Sequence, residues 1–261
     1  MIRLQSGSMS NAVARFSNRV ESYARYRPTY PPALIEILKS NCGLTHDSVI
    51  ADVGSGTGIL SRLFLEYGNT VFGIEPNTGM RLNADKTLWQ FNNFLSVDAT
   101  AEATTLKPGS VDMITAAQSF HWFDRAKAKR EFARIVKRGG FVVLIWNERR
   151  VDSTPFLRAY EDLLLQYSTD YERVRHENVG SEIADFYAPH SFKLESLENL
   201  QRFDLESLEG RTRSASYTPE PGDSNFEPLY SELEKIFHTH ARDGKVTVEY
   251  DTRVYYGRLT S

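Results

Sequence analysis

The run Val49-Ile50-Ala51-Asp52-Val53-Gly54-Ser55-Gly56-Thr57-Gly58 constrains this chain more than any other stretch. An apolar strand carries Asp52 near its end and runs into three glycines spaced by two, and a helical pattern follows at once. Without a Cβ, glycine lets a backbone turn sharply and lets a ligand lie against it. The helix start that follows presents free N–H groups. A second apolar run, Thr70-Val71-Phe72-Gly73-Ile74, ends on Glu75. Strand, glycine turn, helix and a second strand ending on an acid make a nucleoside site, in which the acid accepts hydrogen bonds from both ribose hydroxyls.

Which nucleoside follows from detail. A dinucleotide fingerprint, G-x-G-x-x-G/A, needs a small third residue where this chain has Ile59; the third glycine is Gly58. Asp52, two residues before the first glycine, would repel a pyrophosphate and suits a cationic amine. A ligand with an α-amino group, a ribose and no phosphate is S-adenosylmethionine. Here the chain resembles the class I S-adenosylmethionine-dependent methyltransferases, whose first motif reads (D/E)-x-G-x-G-x-G, matched by Asp52, Gly54, Gly56 and Gly58. A nicotinamide site is the alternative; Ile59 and the lack of a second glycine turn speak against it.

At 261 residues the chain is long enough to bury a large core as one elaborated domain. Its net charge of −3 gives no global field favouring nucleic acid or an anionic membrane. One cysteine, Cys42, excludes an internal disulfide and any multi-cysteine metal site. No other cluster has metal-ligand spacing. The longest strongly apolar run, Phe141 to Trp146, is far short of the ~20 residues of a membrane span, and no signal-peptide pattern opens the chain. A cytoplasmic, soluble protein is expected, monomeric or homodimeric, with no nucleic-acid or membrane partner. Residues 1–10 read as an unstructured leader or cloning remnant.

Periodicity supplies the fold class. Helical spacing runs over Asn11 to Ala24, and Pro31-Pro32 opens a second helix with Leu34, Ile35 and Leu38 on one face. Then strands at Val49–Val53, Thr70–Glu75, Phe94–Val97, Val111–Ala116 and Phe141–Trp146 alternate with helices at Ile59–Tyr67, Met80–Leu88 and Asp124–Lys137. Gly139-Gly140 is expected to end the last of these helices. Continuously apolar strands alternating with helices argue a doubly wound, mostly parallel, Rossmann-like α/β sheet. Beyond it come a helix at Pro155–Tyr167, a strand at Phe192–Phe203, a loop at Ser216–Glu227, a helix at Leu229–His240 and a long alternating strand at Val246–Leu259. These match the antiparallel end of the class I sheet, giving seven strands with the last antiparallel. The expected division is a helical lid at 11–46, the cofactor-binding core at 47–150 and, at 151–261, the end of the sheet with an inserted helical cap.

The resemblance assigns further residues. Asp98 would receive the adenine amino group and Ala99 would offer its N–H; Pro76 flanks Glu75, Met80 lies near the adenine face, and Ser55 belongs to the glycine loop. Gln118 follows the fourth strand. For any one acid at a strand end the plain alternative is a helix N-cap. The segment from Phe16 to Pro31 is similar to the opening F-x(n)-Y-x-x-x-R-P-x-Y-P of small-molecule methyltransferases related to trans-aconitate methyltransferases. There it folds over the cofactor, so Tyr23, Arg27 and Tyr30 would close the site and meet the methionine carboxylate or the acceptor. Packing and solvated charge are the alternative.

For the acceptor, Gln118-Ser119-Phe120-His121-Trp122-Phe123 is a dense aromatic cluster after a core strand. Phe120 and Trp122 would line a pocket or else cap the sheet edge. His121 would be a general base, its ordinary pKa lying near neutrality, or would bond to loop backbone. Arg149, Arg150, Arg211 and Arg213 offer guanidinium forks suited to carboxylates, with Arg211 and Arg213 preferred. The basic run from Arg125 to Arg138 reads as the polar face of an amphipathic helix. The chain is thus expected to transfer a methyl group from S-adenosyl-L-methionine to a small molecule, a carboxylate first among acceptors. A hydroxyl, amine or carbon acceptor, a non-catalytic cofactor-binding protein and a nucleic-acid methyltransferase are the alternatives. The last lacks an Asn/Asp-Pro-Pro-Tyr motif.

Overall fold

A computed structural model describes residues 24–169, 171 and 179–259. The helical spacing expected over residues 11–24 lies almost wholly outside them. After a helical turn at 24–26 come α1 (Ala33–Cys42), β1 (Val49–Val53), α2 (Ile59–Tyr67), β2 (Thr70–Ile74), α3 (Thr78–Leu88), β3 (Phe94–Val97) and β4 (Val111–Ala117). A 3-10 turn at Phe120–Trp122 leads to α4 (Arg125–Ile135), β5 (Val136–Arg149), α5 (Pro155–Tyr167) and α6 (Val179–Tyr187). The chain continues as β6 (Phe192–Phe203), α7 (Leu205–Arg213), α8 (Phe226–His240) and β7 (Val246–Gly257).

One seven-stranded sheet runs β3-β2-β1-β4-β5-β7-β6. Strands β1 to β5 pair in parallel, and β7 is antiparallel to both β5 and β6. This is the doubly wound sheet that the periodicity predicts, with the antiparallel final strand that the resemblance implies. Its middle strands are apolar throughout because both faces are covered. Along β5, Val142, Leu144 and Trp146 enter one core with Phe132 and Ile135 of α4 and Phe186 of α6. The alternate residues Val143 and Ile145 enter the other with Leu34 and Leu38 of α1, Phe64 of α2 and Leu88 of α3. A third cluster joins α5, α7 and α8 to Val246, Val248 and Tyr250 of β7.

The end of α4 differs from the periodicity. Helix α4 ends at Ile135, before the Gly139-Gly140 stop, because Val136 turns extended while its N–H still reaches Phe132 O. A β-branched residue that is buried and paired with Val111 gains more as a strand residue. Two helices also escape the pattern. In α7, Gly210 interrupts the apolar spacing, although Asp204 caps it by accepting from Ser207 N (2.9 Å). Helix α6 is the other; it places Ile183, Phe186 and Tyr187 in the core.

Candidate cofactor and acceptor site

The glycine loop follows from β1 and β2 being neighbours. Gly54 and Ser55 both donate to Ile74 O (2.8 and 3.1 Å), tying the loop to the end of β2. All three glycines have left-handed φ, +67° at Gly54, +57° at Gly56 and +80° at Gly58, where a side chain is strained. They serve different neighbours. A Cβ on Gly54 would stand 2.5 Å from Ser119 Cβ, and one on Gly58 2.6 Å from Leu88 Cδ1. Those two let protein approach protein. A Cβ on Gly56 would meet only Met80 Sδ, at 3.7 Å, so here the backbone itself faces open space. The N-cap position of helix α2 is Gly58, which has no side chain to cap it; the Asp52 carboxyl accepts from Ser61 N in its first turn instead.

Two buried acids flank this loop. Glu75 holds its carboxylate between two backbone donors, Gly56 N on Oε2 (3.0 Å) and Asn77 N on Oε1 (2.8 Å). Burial raises its pKa and those N–H groups oppose the rise. Each oxygen keeps a lone pair, enough to accept from a vicinal diol. Asp52 accepts from Ser61 Oγ (2.6 Å) and Thr115 Oγ1 (2.9 Å). Burial pushes its carboxyl up to about 6, against the pull of those hydroxyls. The third acid, Asp98, is exposed and ion-paired with Arg81 (2.7 Å), whose Nη1 also donates to Glu75 O (2.7 Å).

A cavity of about 610 Å³ opens from the glycine loop toward the far end of β5, a volume in the range of small-molecule sites. Asp52, Gly54, Ser55 and Gly56 wall one end, with Gln118 at the end of β4. Gln118 is a non-glycine residue at φ +55°; its N–H donates to Ile145 O (3.0 Å) and its Nε2 to Asn147 O (3.1 Å). Arg27, Pro28 and Tyr30 form another wall. This strap is pinned by its carbonyls. Thr29 O accepts from Asn199 Nδ2 (2.7 Å) and Asn147 Nδ2 (3.3 Å), and Arg27 Nη2 donates to Ser214 O (2.8 Å).

The other end is built from Arg149, Arg211, Tyr171, Tyr217 and Tyr250. Arg211 is 8% exposed, yet among the described residues no carboxylate lies within ion-pair distance of it. Its Nε donates to Tyr250 OH (3.3 Å), and that hydroxyl donates to Gln201 Oε1 (3.0 Å). Arg149 is buried against the Tyr160 ring, 5.0 Å from its centroid, and ion-paired with Glu161.

The structure therefore gathers Asp52, Gly54, Ser55, Gly56 and Gln118 with Arg27, Tyr30 and Arg211 on one cavity. Glu75 and Met80 stand directly behind Gly56. Others lie elsewhere. Phe120 is a core residue, fully buried edge-on against Phe186 (4.8 Å) and Trp146 (6.1 Å), because the 3-10 turn directs it under the sheet end. His121, Trp122, Gly58, Pro76, Asp98 and Ala99 are not on the cavity wall. Arg213 is exposed over the Tyr230 ring (5.3 Å), two residues on from Arg211 and so turned about 200° around the helix from its buried face. Tyr23 lies outside the described residues. Periodicity missed Tyr250, which is in phase with Val246 and Val248 and reads as core; only its hydroxyl reaches the site. Asn147 hides in the same way at the end of an apolar strand.

Sheet order, glycine loop and the acid after β2 define a class I S-adenosylmethionine-dependent methyltransferase. Comparison with known proteins agrees. A model of the methyltransferase domain family matches residues 51–144. A methyltransferase of Geobacillus sp. is 30% identical over 151 residues, covering 56% of this chain and 68% of the relative. A Dictyostelium discoideum protein named as a methyltransferase is 35% identical over 133 residues, 51% of this chain; the chain spans about half of that relative, 48% of its length. The solved structure of a protein from Anaeromyxobacter dehalogenans, described as a type II methyltransferase, superposes with a TM-score of 0.64 at 22% identity, covering 90% of this chain and 99% of that one. The chain belongs to the methyltransferase domain family. No described helix is long and apolar enough to cross a membrane, and no described cluster of His, Cys, Asp or Glu has the makings of a metal site.

Proposed function

We propose that this protein transfers a methyl group from S-adenosylmethionine to a carboxylate oxygen of a small acid. The observation that carries the reading is Arg211, a buried guanidinium on the wall of the cavity with no acidic partner among the described residues. Burying an unpaired charge is costly, and a bound carboxylate removes that cost by accepting both terminal nitrogens of the fork.

The cofactor fits the opposite end. Gly56 leaves room, the Glu75 carboxylate is aimed by two N–H groups, and Asp52 offers negative charge to an amine. Arg27 on the strap is the cation for the methionine carboxylate. When bound, S-adenosylmethionine supplies a methyl group on a sulfonium: an O–C bond forms as the C–S bond breaks, and the electron pair stays on sulfur. No proton is released. That accords with the walls, since among the described residues no histidine lines the cavity and an ionised carboxylate needs no general base. The protein's task is then to orient the acid and exclude water. Methylation also erases the charge that Arg211 holds, which favours release of the ester.

The test pairs binding with turnover. Calorimetric titration with S-adenosylhomocysteine should show binding that Glu75→Ala weakens at least tenfold. Arg211→Met should keep that affinity within threefold while lowering kcat/KM for acids about 30-fold or more, the scale of ~2 kcal/mol for removing one partner of a buried charge pair. Equal turnover of acids by Arg211→Met and the parent protein would sink the reading.

A further inference from the structure

We infer that Glu161 sets the charge of the acceptor: the far chamber takes an acid with a single carboxylate and rejects its dicarboxylate counterpart. This rests on the carboxylate reading above and narrows it.

Two guanidiniums wall the chamber, and they are not equivalent. Arg149 Nη2 donates to Glu161 Oε2 and to Tyr171 OH (2.8 Å), and Tyr171 OH donates to the same Oε2 (2.7 Å). Both charged side chains are only 9% exposed, so the charge of Arg149 is cancelled on the spot and in a poorly screened environment. Arg211 faces the phenols of Tyr250, Tyr217 and Tyr160 instead, and its Nε bonds to Tyr250 OH. Toward the strand ends a second pair cancels as well, Arg253 with Glu148 (3.0 Å). With Arg27 assigned to the cofactor's carboxylate, the described residues leave one uncompensated anchor for an acceptor anion, and it is Arg211.

A second carboxylate would come to rest against Arg149. It would find a guanidinium already neutralised and the Glu161 charge directly behind it. Like charges placed side by side repel, the more so where water screens them poorly. Arg149 is not idle, however. Its Nη1 is buried with no hydrogen-bond acceptor among the described residues. Paired in this way it is a donor without net charge, suited to a hydroxyl or carbonyl oxygen on the acid. Glu161 is therefore a specificity residue acting through Arg149, not a group that touches the reacting atoms.

The experiment measures methyl ester formation from matched pairs, hexanoate against adipate and benzoate against terephthalate, at one cofactor concentration. The parent protein should prefer the mono-acid in each pair by at least tenfold in kcat/KM. Glu161→Gln frees a second positive charge and should shift that ratio at least tenfold toward the di-acid. The double variant Glu161→Gln with Arg149→Met restores one net positive charge and should return the preference to the mono-acid. A merely structural role for Glu161 predicts no such return, and the parent ratio stands as a test even if the single variant folds poorly. Di-acids turned over as well as mono-acids by the parent protein would overturn this inference alone. Absence of ester from every pair, with S-adenosylhomocysteine still bound, would overturn the carboxylate reading and this inference with it.

Discussion

At the scale of single residues, two buried acids beside one glycine loop divide their work by what holds them. Glu75 is clamped by backbone N–H groups and, in the proposed site, serves shape. Asp52 is held by two hydroxyls and the Ser61 N–H and, in the proposed site, serves charge. Burial raises the Asp52 carboxyl to about 6, and the sign of the consequence differs for folding and for binding. A raised carboxyl favours the protonated fold, so its contribution to stability is full below the ordinary value of 3.8 and is lost as pH rises through about 6. Binding of an amine needs the ionised form, so affinity runs the other way. The dissociation constant for S-adenosylhomocysteine should be level between pH 7 and 8 and rise below pH 6, approaching tenfold per unit. Asp52→Asn should bind more weakly at pH 7 and show a flat profile. Calorimetry at pH 5 and pH 7 decides it, and equal affinity at both in the parent protein would contradict the charge role of Asp52.

At the scale of elements, the strap and α7 form one device. A Cβ on Gly210 of α7 would lie 2.1 Å from the Tyr26 ring, so this helix carries a glycine where the strap crosses it. Alanine in a helix interior ordinarily stabilises by about 0.5–1 kcal/mol relative to glycine. Here it must displace the ring, and with it the carbonyls of Tyr26 and Thr29 that Gln201 and Asn199 hold. Gly210→Ala should therefore raise the dissociation constant of S-adenosylhomocysteine about tenfold with little change in melting temperature. Adding Tyr26→Ala should leave Gly210→Ala without further effect, and a Gly210→Ala protein that binds as tightly as the parent would separate the strap from the site. The sequence shows much of this scale openly. Strands buried on both faces and helices with an apolar stripe declare themselves, so β1, β3, α2 and α5 fall at the bounds the pattern predicts. What the pattern hides is of one kind. Val136 looks helical until its partner Val111 is known, α7 hides behind Gly210, and Tyr250 and Asn147 look like interior strand residues because only their polar tips reach the cavity. Periodicity reports which face is buried, not what a buried hydroxyl or amide touches.

At the scale of the whole molecule, one sheet serves two ends with separate cores. The strands that carry the glycine loop are clamped between two clusters, whereas the far chamber rests on the third, in which Leu229 and Leu233 of α8 pack with Leu157 and Leu164 of α5 and Val248 of β7. Arg211 is carried by α7, whose Leu208 is buried in that third cluster. Loosening this cluster should blur the far chamber while the glycine loop keeps its own support. Leu233→Ala removes a side chain with no exposure and should lower stability by about 2–5 kcal/mol, the range for such truncations in a packed core. Below its melting transition the variant should bind S-adenosylhomocysteine within threefold of the parent and lose at least tenfold in kcat/KM for acids. Binding and turnover falling together in protein that is still folded would mean that the two ends share one core after all, because the continuous β5–β7 pairing from Val142 to Arg149 would then be transmitting the loss across the sheet.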